Sequence, residues 1–244
     1  ALMMAVDGKS GQVLWQTPNP RHWKMSHASV IRAVIEGKPT YVYFAIGGVC
    51  GVSASGQDTG KLLWELTDFA PAVVAPTPVY LGGGRVLLTA GYGAGTAVIH
   101  AFRNGSEWRA EIVQQFRPQE GIASEQQTPV FAGGVLYAIL PKDAGGNRNQ
   151  FVAVSPEDGT KILTTSGKTE RYGLGPFLLA DNKFYILNDD GEMTIATATA
   201  SSFKVLDKAK ILEGTDAWGP MAMSGGYLLA RDSKMLICLD MKKP

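Results

Sequence analysis

The chain has 244 residues, 45% of them hydrophobic and 18% charged, and 23 Lys and Arg against 22 Asp and Glu leave a net charge of +1. That apolar content excludes a disordered chain, and the balanced charge gives no electrostatic basis for binding nucleic acid or an anionic membrane. Glycine, with 29 residues, is well above its usual share of about 7%. The 13 prolines add to the turn signals, and apolar runs such as 70–76 are too short to span a membrane.

In chain order, Met4-Ala-Val-Asp7 and the segment Gly11 to Trp15 read as two strands joined by a hairpin. An anchor, His27-Ala-Ser-Val30, then opens a longer pattern with β-prone runs at Tyr41–Phe44 and Cys50–Ser53 and a last strand from Gly60 to Trp64. The next anchor, Pro76-Thr-Pro-Val79, leads into Arg85–Leu88. Here Gly91–Gly95 and Asn104-Gly-Ser106 read as turns, the second also fitting a glycosylation acceptor, and His100 falls within a strand. The anchor Gln127-Thr-Pro-Val130 is followed by a turn at Phe131–Gly134, strands at Val135–Ala138 and Val152–Ser155, and a strand reaching Leu163 four places after Gly159. Gly175-Pro-Phe177 precedes Phe184–Leu187 and a turn at Asp189-Asp-Gly191, and Gly219-Pro-Met221 precedes Tyr227–Ala230 and Ile237–Asp240.

Taking Ser29, Pro78, Pro129, Pro176 and Pro220 as equivalent, the intervals are 49, 51, 47 and 44 residues. Four short antiparallel strands repeated at such a period are the mark of a β-propeller blade, with the prolines at the first residue of the inner strand, where a missing donor is tolerated. The expected fold is all-β: four complete four-stranded blades plus partial blades at both ends, in one domain over residues 1–244. The chain begins and ends within a blade, so the sequence reads as the C-terminal part of a seven- or eight-bladed ring, with a closed ring of five or six blades as the alternative.

The pattern Ala5-Val-Asp7, Gly11, Trp15, repeated more weakly at Val154-Ser155 to Gly159 and at Leu239-Asp240, resembles the repeat of quinoprotein dehydrogenases and their non-catalytic relatives, the pyrroloquinoline-quinone-like propellers. Catalytic members of that family carry adjacent cysteines and a carboxylate and amide set for calcium. The two cysteines here, Cys50 and Cys238, are far apart, and no such set is recognisable. The resemblance therefore implies a non-catalytic, periplasmic or otherwise extracytoplasmic platform, without catalytic or metal-binding residues and without a cofactor. A pyrroloquinoline-quinone and Ca²⁺-dependent alcohol or sugar dehydrogenase, and a carbohydrate-binding propeller, stand as alternatives. The non-catalytic relatives include a lipoprotein that assists β-barrel assembly in bacterial outer membranes, although no segment singles that member out.

In a four-stranded meander, the loops that enter each blade share a face with the loops between its second and third strands. Residues of both sets form the expected face for a protein partner or a small polar or carbohydrate ligand. They are His22, Trp23, His27, Glu125, Gln126, Lys142, Asp143, Arg148, Arg171, Tyr172, Asp216, Trp218, Arg231 and Asp232. Trp218 offers a flat stacking surface. Glu125 and Asp216 offer oxygen ligands that are too few for calcium, and His22 and His27 are the histidines placed for acid–base work. The loop Pro141–Asn149 reads equally as an ordered clamp or a mobile excursion. Cys238, aligned with Ala5, Gly51 and Ala153, is expected to be a buried structural thiol.

Overall fold

Short runs of β-branched, aromatic and aliphatic residues, each bounded by Gly, Asn or Asp, become strands because the turn residues return the chain antiparallel on itself. The structure is a computed structural model that describes residues 1–242. A first pair, β1 (Met3–Val6) and β2 (Val13–Thr17), is followed by a four-stranded sheet of β3 (Ile31–Ile35), β4 (Lys38–Ala45), β5 (Gly48–Ser53) and β6 (Leu62–Leu66). The next sheet comprises β7 (Val79–Gly82), β8 (Arg85–Ala90), β9 (Gly95–Asn104) and β10 (Glu107–Phe116). Two further four-stranded sheets are β11 (Val130–Ala132), β12 (Val135–Ile139), β13 (Phe151–Val154), β14 (Ile162–Thr165), and β15 (Phe177–Ala180), β16 (Lys183–Leu187), β17 (Glu192–Ala198), β18 (Phe203–Lys210). The last comprises β19 (Ala222–Ser224), β20 (Tyr227–Arg231) and β21 (Leu236–Asp240). This is the expected four-stranded meander, with each anchor proline one or two residues ahead of its strand rather than inside it. Every strand pairs antiparallel with its sequence neighbour in the same sheet, so each blade is built from local contacts.

The chain divides into two compact units, residues 1–116 and 117–244. In each, the core lies between successive sheets. In the first unit Ile35, Val42, Phe44, Val49 and Trp64 meet Val86, Leu88 and Ile99. In the second, Tyr137, Ile139 and Phe151 meet Phe184 and Ile186, and Leu187 and Met193 meet Leu228 and Ala230. Middle strands are therefore apolar on both faces, β5 and β13 being buried throughout, while the outer strand β10 alternates between exposed and half-buried positions.

One irregularity recurs in the outer strands of the first five sheets. The pairing skips Leu14 in β2, Leu63 in β6, Val113 in β10, Leu163 in β14 and Leu206 in β18, each time leaving one aliphatic residue bulged. The bulge shifts one expected equivalence. The residue opposite the small third-strand position is Trp15 against Ala5, Trp64 against Gly51, and Thr164, not Leu163, against Ala153. Gly51 is required where it stands, since a Cβ there would lie 2.2 Å from the Trp64 indole. Burial pushes the neighbouring Cys50 thiol up to about 12. Cys238 departs from expectation: it is exposed, because β21 has no strand on its outer side among the described residues and so no side chain covers it as Trp64 covers Gly51.

Candidate functional site

Within the second unit, the loops entering the blades and the loops between second and third strands are tied directly to one another. Arg171, ahead of β15, donates from Nε to the Lys168 carbonyl at 3.1 Å, from one terminal nitrogen to the Gly146 carbonyl at 3.3 Å, and from the other to the Arg148 carbonyl. The amide of Tyr172 donates to the Asn149 carbonyl at 2.8 Å, and Gln150 Nε2 donates to the Gly146 carbonyl at 3.2 Å. These bonds tie Pro141–Asn149 to the loop that enters the next blade. Gln127 Nε2 reaches the carbonyls of Leu174 at 3.4 Å and Trp218 at 3.1 Å, joining the loops that enter three successive blades.

Two aspartates at the same repeat position close the turns. Asp232 takes amide hydrogens from Lys234 and Met235 at 2.7 Å each and from Gly214 at 2.9 Å, and these bonds hold its carboxyl below the usual carboxylate range. Asp189 accepts the Leu174 amide at 2.8 Å, but burial raises its pKa, and the nearby charges of Asp190 and Asp216 add to the rise. In both places a glycine makes room: a Cβ on Gly173 would lie 1.9 Å from Asp189 Oδ2, and one on Gly214 would lie 2.3 Å from Asp232 Oδ2. The turn at Asp189-Asp-Gly191 is a hairpin closed by Asn188, whose Oδ1 takes the amides of Asp190 and Glu192.

Beside these turns lies an open cleft of about 330 Å³ lined by Gln126, Asp216, Trp218, Gly219, Pro220, Arg231, Asp232 and Ser233. It thus brings together five of the residues expected from the sequence. Trp218 is half-buried, Asp216 and Arg231 are exposed, and Asp216 holds a left-handed backbone at φ 59. That conformation is uncommon for a residue other than glycine, although aspartate tolerates it better than most. Gln126 Oε1 is buried without a hydrogen-bond partner, as are Glu125 Oε2 and Asp143 Oδ1 in the neighbouring loops. Glu125 and Gln126 also line a cavity of about 10 Å³, and Lys142 Nζ stands 3.9 Å from Glu125 Oε1. Buried acceptors left without donors are costly, and of these three residues only Gln126 lines the cleft.

Other expected residues have different surroundings. Tyr172 is buried in the core with Phe151 and Phe184, where burial and then the Glu170 charge push its phenol up, so it is a packing residue rather than part of an exposed face. Asp232 is 4% exposed and its oxygens are engaged by backbone amides. Arg171 has its donors on carbonyls, and Arg148 is exposed on the loop that Arg171 pins. His22, Trp23 and His27 belong to the first unit. There Trp23 packs over Gly47 and Gly48, where a Cβ would come within 2.5 Å and 2.7 Å of its ring, and both histidines are exposed. Among the described residues, no group of three or more His, Cys, Asp or Glu side chains comes together as a metal centre, so Glu125 and Asp216 do not join in one. The bridging role of Gln127, the loop-fastening role of Asp189 and the need for glycine beside the aspartates are not among the expectations from sequence. The signal was present, since Leu187-Asn-Asp189 and Ala230-Arg-Asp232 occupy the same repeat position.

Successive four-stranded antiparallel sheets with this repeat define a β-propeller of the pyrroloquinoline-quinone-like class. The family described as outer membrane protein assembly factor BamB matches residues 2–165, and the chain belongs to that family. A similar solved structure is the crystal structure of BamB from Moraxella catarrhalis, with a TM-score of 0.52 and 14% identity over 96% of this chain and 77% of that one. At that identity the likeness bears on the fold. Among curated proteins none matches the sequence.

Proposed function

We propose that this chain is a non-catalytic protein-binding and assembly platform that works outside the cytoplasm, in the periplasm, and needs no cofactor. Membership of the BamB family supports the assembly role, and among the described residues no helix is long and apolar enough to cross a membrane. The observation that carries the reading is the cleft at Trp218. It holds an exposed guanidinium, an exposed carboxylate and an indole, on loops fixed by hydrogen bonds between the side chains of Gln127 and Asp232 and the backbone. Preorganised loops on a rigid scaffold lower the ordering cost of association.

The test is a photo-crosslinking side chain placed at Trp218 in the intact protein in cells, with the same group at Ser106, on the exposed β9–β10 turn, as control. A discrete crosslinked partner from position 218 and none from 106 is expected; equal labelling from both overturns the placement. Titration with pyrroloquinoline quinone and Ca²⁺ addresses the dehydrogenase reading, and saturable binding with dye-linked turnover overturns the platform.

A further inference from the structure

We propose that the cleft at Trp218 takes an extended peptide segment and holds it through an acidic side chain of that segment on Arg231, an inference that rests on the platform reading. Arg231 is exposed and has no ion pair or hydrogen bond among the described residues. Its neighbour Asp232 makes no ion pair with it and instead takes the amides of Gly214, Lys234 and Met235. Asp216 lines the same cleft, yet no ion pair joins it to Arg231. Two opposite charges are thus held apart on one surface.

The position of the guanidinium is built in. It lies against the backbone of Gly219, where a Cβ would stand 2.5 Å from Arg231 Nε, so glycine at 219 lets the side chain rest there. A free guanidinium is a fork for a carboxylate and forms short charge-assisted hydrogen bonds with it. The exposed Asp216 carboxylate accepts from N–H donors, and the Trp218 ring offers a flat apolar contact. An extended peptide carries all three complements: an acidic side chain, backbone N–H groups and apolar side chains on alternate positions. A neutral sugar supplies hydroxyls and a face for the indole but leaves the guanidinium without a counter-charge.

The test uses the full chain labelled with ¹⁵N. The probes are a capped hexapeptide with one glutamate among small and apolar residues, the same peptide with glutamine, and maltohexaose. The Trp218 indole N–H, assigned with Trp218→Phe, and the Arg231 Nε–H report binding. The glutamate peptide is expected to shift both signals saturably, to bind about tenfold or more tightly than the glutamine peptide, and to weaken at high salt. In Arg231→Gln the preference for glutamate disappears. If that variant loses its dispersed spectrum, the glutamate and glutamine peptides still decide the matter on the wild-type protein. Equal affinity for the two peptides, shifts produced only by the sugar, or no shift with any probe at millimolar concentration overturns the proposal. Failure of the platform is read separately: a crosslinked partner at position 218 together with equal affinity for the peptides sinks this inference and leaves the platform standing.

Discussion

Asp189 and Asp232 occupy one position of the repeat, two residues beyond Leu187 and Ala230, and each fastens the loop that enters its own blade. Their electrostatics are nonetheless opposite. Asp232 is surrounded by three amide donors and is stabilised as the anion, whereas Asp189 has one donor, is desolvated and faces Asp190 and Asp216. A repeat thus passes on a hydrogen-bond geometry without passing on a protonation behaviour, because the former is set by the turn and the latter by the neighbours.

The largest effect is expected from breaking the contact at its glycine. Gly173 combines φ +63 with a Cβ position 1.9 Å from Asp189, so Gly173→Ala costs about 2–4 kcal/mol. Gly214, whose backbone is not left-handed, loses less on the same change. Urea midpoints of the two variants should fall in that order, and the reverse order would show that the backbone conformation at 173 is not the deciding cost.

Substituting the aspartates sharpens the contrast. The stabilisation from Asp232, whose folded pKa is lowered, is present above the unfolded value of about 3.8 and is lost as pH falls through the depressed value. Asp232→Asn has one acceptor oxygen for three amides, so its melting temperature should fall at pH 7 and approach the wild-type value in strong acid. Asp189 has a raised folded pKa, so its contribution is full below the unfolded value and is lost as pH rises through the folded one. Asp189→Asn keeps an acceptor for the Leu174 amide and sheds a buried charge, so its melting temperature at pH 7 should equal or exceed wild type. Equal losses in the two variants would break the comparison.

The smallest effect belongs to the cleft. Arg231→Gln removes an exposed side chain with no partner among the described residues, and chemical denaturation should show a change within about 0.5 kcal/mol.

The strands could be read in the sequence because their signals are local. Phe184–Leu187 is apolar and bounded by Asp181-Asn182 and Asp189-Asp190, and it becomes β16 within a residue of its expected start. The fate of individual polar side chains depends on distant partners and was much less visible. Tyr172 sits in a polar-looking loop, yet it is buried because Phe151 and Phe184, from two different blades, converge on it. Arg171 is equally polar, but its donors are taken by a loop more than 20 residues away in sequence. Gln126, Asp216, Trp218 and Arg231 do come together in one cleft, whereas the shift of Thr164 into the place expected for Leu163 could not be foreseen without the bulge.

The recurring bulge also bears on the solubility of partly unfolded chains. Each outer strand is an exposed sheet edge, and an intact edge is a template onto which another chain can add. With Leu14, Leu63, Val113, Leu163 or Leu206 unpaired, none of the strands β2, β6, β10, β14 and β18 offers an unbroken row of donors and acceptors, whereas β21, the edge of the last sheet among the described residues, pairs without a bulge. Deleting the bulged residue would straighten such a strand and restore that row. The five sheets that end in a bulged strand thereby carry their own barrier against fibril growth, and β21 is the edge left without one.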